Sequence, residues 1–171
     1  MLIKIIDIIG YSGSGKTYFI MNAIKLIKKV LSYNVAVIKN VKHHLIDKEG
    51  KDSYIFTKSG ASYSAIKNIH NDMSIFLNVN DFSIEEIINW LQNGPYKLDL
   101  LLTEGFRDLN NPTVLCINNI EHIEPQLNDN IKMISGIICN NISNEKSLSD
   151  LPIVDIEKDF QKFCKIFGIG I

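Results

Sequence analysis

Leu2-Ile-Lys-Ile-Ile-Asp-Ile-Ile9 runs straight into Gly10-Tyr-Ser-Gly13-Ser-Gly15-Lys16-Thr17, and this junction decides the fold. The first half is a short, β-branched apolar run of the kind that forms a buried parallel strand. The second half matches the phosphate-loop pattern G-x-x-x-x-G-K-[ST]. Chemistry dictates those residue types. Glycines let the backbone curl close to an anion, and successive N–H groups then point into one cavity. A helix beginning at Lys16 adds its positive N-terminal end. Gly10, Ser12, Gly13, Ser14 and Gly15 are the candidate cradle, with Tyr18 just beyond it. Lys16 is placed to reach the β- and γ-phosphates and the Thr17 hydroxyl to ligate magnesium. A glycine-rich turn with a chance lysine would match somewhere in a chain of this length less than about once in a hundred. The glycine order G-x-x-G-x-G excludes a dinucleotide fingerprint, which needs G-x-G-x-x-G.

Outward from the loop, Phe19, Ala23, Ile27 and Val30, with Ile20, Ile24 and Leu31, recur at helical spacing to residue 31. Val35–Lys39 reads as a second strand. Asp52–Ser59 reads as a short helix ending at Gly60, and Tyr63–Ile69 with Met73–Val79 as a hairpin. Ser83-Ile-Glu-Glu86 is a capping box that opens a helix stopped by Gly94-Pro95. Leu98–Thr103, Thr113–Ile117 and Met133–Cys139 are further strands, and Asp155–Phe167 a last helix. Strands alternating with helices predict one α/β domain over residues 1–171. Its expected form is the three-layer P-loop NTPase sandwich, a largely parallel sheet with the hairpin at a mixed edge and helices on both faces. Asp7 is a lone charge in an otherwise apolar strand.

Composition narrows the partners. A net charge of −1 gives no general pull toward nucleic acid or anionic membrane, and no apolar run approaches the roughly 20 residues that span a bilayer. The N-terminal run carries Lys4 and Asp7 and reads as a strand, not a signal peptide. Cys116, Cys139 and Cys164 are odd in number, widely spaced and set in apolar runs, which points to buried thiols in a reducing cytoplasm.

Asp99-Leu-Leu-Leu-Thr-Glu104-Gly105-Phe106-Arg107 is the second constellation. An apolar strand delivers Glu104 to the sheet edge where ligands sit in such folds. A carboxylate there holds magnesium opposite Thr17, directly or through water. Gly105 keeps the backbone close to the phosphates. Arg107 is the single arginine among the 18 Lys and Arg residues, and it leaves the strand on the phosphate side.

With these words in place, the sequence resembles the molybdopterin-guanine dinucleotide biosynthesis adaptor family, protein B (MobB). The matching words are Gly10–Thr17, Val35–Lys39 with His43-His44, Asp47-Lys-Glu-Gly-Lys-Asp52-Ser53, Gly60-Ala61 and Asp99–Arg107. The resemblance implies a homodimeric GTP-binding protein that assists the MobA-like guanylyltransferase attaching GMP to the molybdenum cofactor. It carries over the phosphate-loop residues, Glu104 and Arg107, and marks the loop with His43, His44 and Asp52 as lining the site. Asp52 then takes a catalytic part beside the γ-phosphate, orienting water or holding magnesium through water. Two positions depart from the family pattern: Tyr18 stands where a second threonine is usual, and Asn40 where a histidine is common.

Gly136-Ile-Ile-Cys-Asn140-Asn141 closes a late strand, and Asn140 is the candidate contact to a guanine edge. No N-K-x-D word is present, so guanine preference rests on the resemblance. The resulting expectation is a cytoplasmic GTP-binding adaptor with slow, magnesium-dependent GTP hydrolysis. A P-loop small-molecule kinase is the rival, weakened by the lack of an arginine-rich lid. A metallochaperone-type GTPase is the other, weakened by the missing cysteine–histidine cluster.

Overall fold

The apolar run before the phosphate loop is a buried strand that pairs with two later apolar runs of the chain. The computed structural model describes residues 3–70, 72–141 and 147–170. It divides into two compact units, Met1–Asn40 with Tyr96–Ile171, and Val41–Pro95. In chain order, β1 (Lys4–Ile9), α1 (Lys16–Leu31) and β2 (Val35–Lys39) belong to the first unit. The second holds α2 (Asp52–Lys58), β3 (Tyr63–Lys67), β4 (Met73–Leu77) and α3 (Ile84–Gln92). The chain then returns with β5 (Leu100–Glu104), β6 (Thr113–Cys116), β7 (Ile131–Ser135), α4 (Ile138–Asn141), β8 (Ser147–Leu148), β9 (Leu151–Pro152) and α5 (Phe160–Phe167).

Five strands form one wholly parallel sheet in the order β2-β5-β1-β6-β7. On one face, Ile6, Ile8, Leu100, Leu102, Val114 and Met133 pack under Phe19, Ala23 and Ile27 of α1 and Phe163 and Phe167 of α5. Phe19 and Phe163 meet edge to face, ring centres 5.9 Å apart. Each fully buried aromatic of this kind contributes about 1.5–3 kcal/mol of hydrophobic stabilisation. On the other face Ile9, Leu115 and Ile134 pack against Ile123, which follows a 3-10 turn, and Ile138 of α4.

The parallel register pairs Ile8 with Glu104 and Glu104 with Lys39. The C-terminal ends of β1, β5 and β2 therefore finish side by side, at the point where the chain crosses from one half of the sheet to the other. Asp7 finds its explanation in the same register. It lies between Thr103 and Thr113, and its Oδ1 accepts hydrogen bonds from the Thr103 hydroxyl at 2.6 Å and the Asn111 amide at 3.3 Å.

Several expectations shift. The hairpin forms, but β3 and β4 make a separate two-stranded sheet in place of a mixed edge. Its strands pair antiparallel with each other, Tyr63 opposite Leu77 and Lys67 opposite Met73, and so satisfy backbone groups without the parallel sheet. Tyr63, Ile66, Met73 and Ile75 stay exposed, unlike the side chains of the doubly covered central strands. Val30 is exposed in the last turn of α1. Of the three thiols expected to be buried, only Cys116 is fully so; Cys139 and Cys164 are partly buried. The late strand stops at Ser135, because Gly136 turns the chain with φ +94° into α4. The last helix starts at Phe160, capped by the Asp159 carboxylate, which accepts the Lys162 N–H at 3.1 Å. In the second unit, the α3 capping box forms in both directions: Glu86 N–H donates to Ser83 Oγ at 3.2 Å, and Ser83 N–H to Glu86 Oε2 at 2.7 Å.

Candidate functional site

The phosphate loop takes its shape from glycine. Gly10 has φ +145°, and a Cβ there would lie 2.1 Å from the Cys116 carbonyl oxygen, so any side chain would push β6 away. Gly15 is the left-handed N-cap of α1; no side chain caps this helix, and its first turn holds no acidic residue. Among the described residues, the leading N–H groups of this 16-residue helix thus have no capping side chain and no acidic residue of their own turn beside them. The Ser14 carbonyl accepts the Ile137 N–H at 3.1 Å, which ties the loop to the segment after β7. The Ser14 hydroxyl is buried against the loop.

Lys16 folds back over the loop, donating from Nζ to the carbonyls of Gly10 at 2.9 Å and Tyr11 at 2.8 Å. Burial pushes its ammonium below the usual lysine range, and the nearby Glu104 carboxylate partly opposes this. The Thr17 hydroxyl lies 3.5 Å from both Glu104 carboxylate oxygens, at the outer limit of a hydrogen bond. Glu104 is buried at the end of β5, and Lys39 Nζ sits 3.2 Å from its Oε1. Gly105 donates its N–H to the Ile8 carbonyl at 3.1 Å, continuing the β1–β5 ladder to the mouth of the loop.

Arg107 is exposed but not loose. Its Nη2 donates to Gln126 Oε1 at 2.7 Å, and its guanidinium lies over the Tyr11 ring, 5.5 Å from the centre. Tyr11 in turn meets the His122 ring edge to face at 5.1 Å. Gln126 Nε2 donates to the His122 carbonyl at 2.6 Å.

Asn140 lies in α4 and lines a cavity of about 300 Å³ together with Gly15, Tyr18, Ile137, Asp155 and Glu157. Tyr18 is otherwise exposed, and its hydroxyl donates to Glu157 Oε2 at 2.6 Å. His43, His44 and Asp52 belong to the second unit. Both histidines are exposed in its leading loop, and Asp52 is the first residue of α2, after the Lys51 N-cap. The Ser53 hydroxyl there donates to Asp47 at 3.0 Å.

The first unit therefore places Lys16, Thr17, Glu104 and Arg107 around the loop, with Lys39 and Tyr11 beside them. Lys39 was legible in principle as the last residue of the β2 run, since parallel pairing sets the ends of neighbouring strands side by side. Tyr11 occupies a free position of the loop pattern, and no signal marked it. Among the described residues, no three His, Cys, Asp or Glu side chains converge on a metal position, and no helix is long and apolar enough to cross a membrane.

A central β1 strand, a glycine-bound loop and α1, set in a parallel sheet, define the three-layer α/β fold of the P-loop NTPases. The chain belongs to the MobB family: residues 5–140 match the family described as molybdopterin guanine dinucleotide synthesis protein B. A putative molybdopterin-guanine dinucleotide biosynthesis adapter protein of Methanocaldococcus jannaschii is 29% identical over 121 residues, which are 68% of this chain and 48% of that protein. A molybdopterin-guanine dinucleotide biosynthesis adapter protein of Haemophilus influenzae is 33% identical over 116 residues, 66% of this chain and 62% of that protein. The chain thus spans between 48% and 62% of the length of these curated relatives. Among solved structures, Bacillus subtilis MobB aligns with a TM-score of 0.71 at 21% identity, over 95% of this chain and 97% of that one. The MobB homolog of Bacillus stearothermophilus aligns at 0.64 with 19% identity, over 96% and 95%. These two likenesses bear on the fold.

Proposed function

We propose that this chain is a GTP-binding adapter of molybdopterin guanine dinucleotide biosynthesis, holding the nucleotide's phosphates at Gly10–Thr17 and hydrolysing GTP slowly. The observation that carries the reading is the convergence of an uncapped helix start, Lys16, Thr17 and Glu104 at the ends of β1 and β5. Lys16 bonds to two loop carbonyls, and a phosphate oxygen offers its ammonium a charged acceptor in their place. Thr17 and Glu104 present hard oxygen donors to each other, the chemistry that suits magnesium, and they are the residues that would hold it. When bound, magnesium neutralises charge on the β- and γ-phosphate oxygens.

The other parts of this reading follow from the family. Its partner is a MobA-like guanylyltransferase, its working form a homodimer and its compartment the cytoplasm. The family resemblance also assigns His43, His44 and Asp52 of the second unit a part in handling the nucleotide, Asp52 as the residue that orients water. Calorimetric titration with non-hydrolysable GTP and ATP analogues, with and without magnesium, tests the core of the proposal. GTP-analogue binding strengthened by magnesium is the expected result. Failure of both analogues to bind removes it.

A further inference from the structure

The cavity of about 300 Å³ opens against Gly15, the last glycine of the loop. Tyr18, Phe19 and Ile137 supply much of its wall, and Asp155 and Glu157 bring carboxylates to it. A mostly apolar space with a few fixed polar groups is what a planar base requires, and it adjoins the loop where a nucleotide's phosphates would end. The two carboxylates are not equivalent. Glu157 is engaged by the Tyr18 hydroxyl at 2.6 Å and is exposed. Asp155 is partly buried: its Oδ1 accepts the Glu157 N–H at 3.1 Å, and its Oδ2 faces Lys158 Nζ at 2.9 Å. These contacts hold the Asp155 carboxylate in place while each oxygen keeps capacity to accept another bond. Ile153 bridges in parallel to Ile134, which brings the following turn alongside the end of β7. Asp155 lies beyond the family-matched residues 5–140, so the family match assigns it nothing.

Resting on the nucleotide-binding reading above, we propose that Asp155 selects guanine, its carboxylate accepting the base's N1–H and exocyclic N2–H together. Adenine presents an acceptor nitrogen and a single amino donor at the corresponding edge, so the same carboxylate meets a lone pair and is left half unpaired. Inosine retains N1–H but lacks the exocyclic amine. Xanthine carries a carbonyl where guanine carries that amine, and therefore opposes a carboxylate but suits an amide.

The test compares magnesium complexes of GDP, IDP, ADP and XDP by equilibrium titration of the full chain and of Asp155→Asn. The wild-type chain is expected to prefer GDP over IDP and ADP by about 10- to 100-fold, the range of one bidentate base contact. Asp155→Asn is expected to lose that preference and gain XDP binding over a similar range, with ADP binding unchanged as the check on folding. Glu157→Gln, which alters the carboxylate already engaged by Tyr18, is expected to leave the base order intact. Equal wild-type affinity for GDP, IDP and ADP overturns the assignment without needing any variant, and so does an Asp155→Asn chain that still prefers GDP over XDP. If none of the four binds, the nucleotide reading itself is overturned, and the assignment with it.

Discussion

The Arg107 guanidinium lies 5.5 Å from the centre of the Tyr11 ring, so the chain's single arginine is stacked on the phosphate loop itself. Its Nη2 also donates to Gln126 Oε1 at 2.7 Å. A planar group held by two contacts gives up little freedom when it meets a phosphate, and a lysine copies neither the stack nor the fork.

Arg107→Ala is expected to slow single-turnover GTP hydrolysis at least about tenfold while weakening analogue binding far less, as when a contact forms mainly in the transition state. Arg107→Lys should recover little of that loss. Single-turnover rates and equilibrium binding on the same two variants check this. Equal losses in both quantities would make Arg107 a ground-state ligand or a brace for the loop.

Glu104 is shared between Lys39 at 3.2 Å and the Thr17 hydroxyl at 3.5 Å. Glu104→Gln keeps the side chain's size and removes its charge. It is expected to abolish most of the magnesium enhancement of analogue binding, on the order of tenfold, with magnesium-free binding nearly unchanged. Titrations at several magnesium concentrations read the two effects separately. A loss of the same size without magnesium would place Glu104 outside the metal position.

Asp7 makes a pH prediction. Burial pushes its carboxyl above the usual aspartate value of 3.8, and the hydrogen bonds from Thr103 and Asn111 oppose this only in part. A carboxyl raised in this way binds its proton more tightly in the folded chain. Its contribution to stability is complete below the unfolded value and is lost as pH rises through the folded one. Asp7→Asn should therefore be more stable than wild type at neutral pH, by about 1 kcal/mol, with the gap closing below about pH 4. Urea midpoints at both pH values measure it, and a gap that does not change with pH would contradict the burial argument.

The strand–glycine turn–helix junction was legible because the G-x-x-x-x-G-K-[ST] pattern leaves few residue choices, and α1 because its apolar residues recur at helical spacing. Glu104 was legible as a charge at the end of an apolar strand. Other features depended on information that local pattern lacks. The hairpin's alternation identified two strands but not which sheet they would join. The Ser135 end of β7 was hidden because Ile137, Ile138 and Cys139 continue the apolar run past the turn at Gly136. The start of α5 was read too early because Asp155 and Asp159 are both good caps, and only tertiary packing chooses between them. Asp7 needed its partners from β5 and from Asn111, 96 and 104 residues away in sequence.

The central claim is that Gly10–Thr17 holds the phosphates of a nucleoside triphosphate, and Lys16→Ala tests it most directly. Among the described residues Lys16 hydrogen-bonds only to loop carbonyls, so its removal should leave the fold intact. Affinity for a non-hydrolysable GTP analogue, measured with magnesium beside circular dichroism, is expected to fall at least about tenfold with an unchanged spectrum. Wild-type affinity in a folded Lys16→Ala chain would contradict the account.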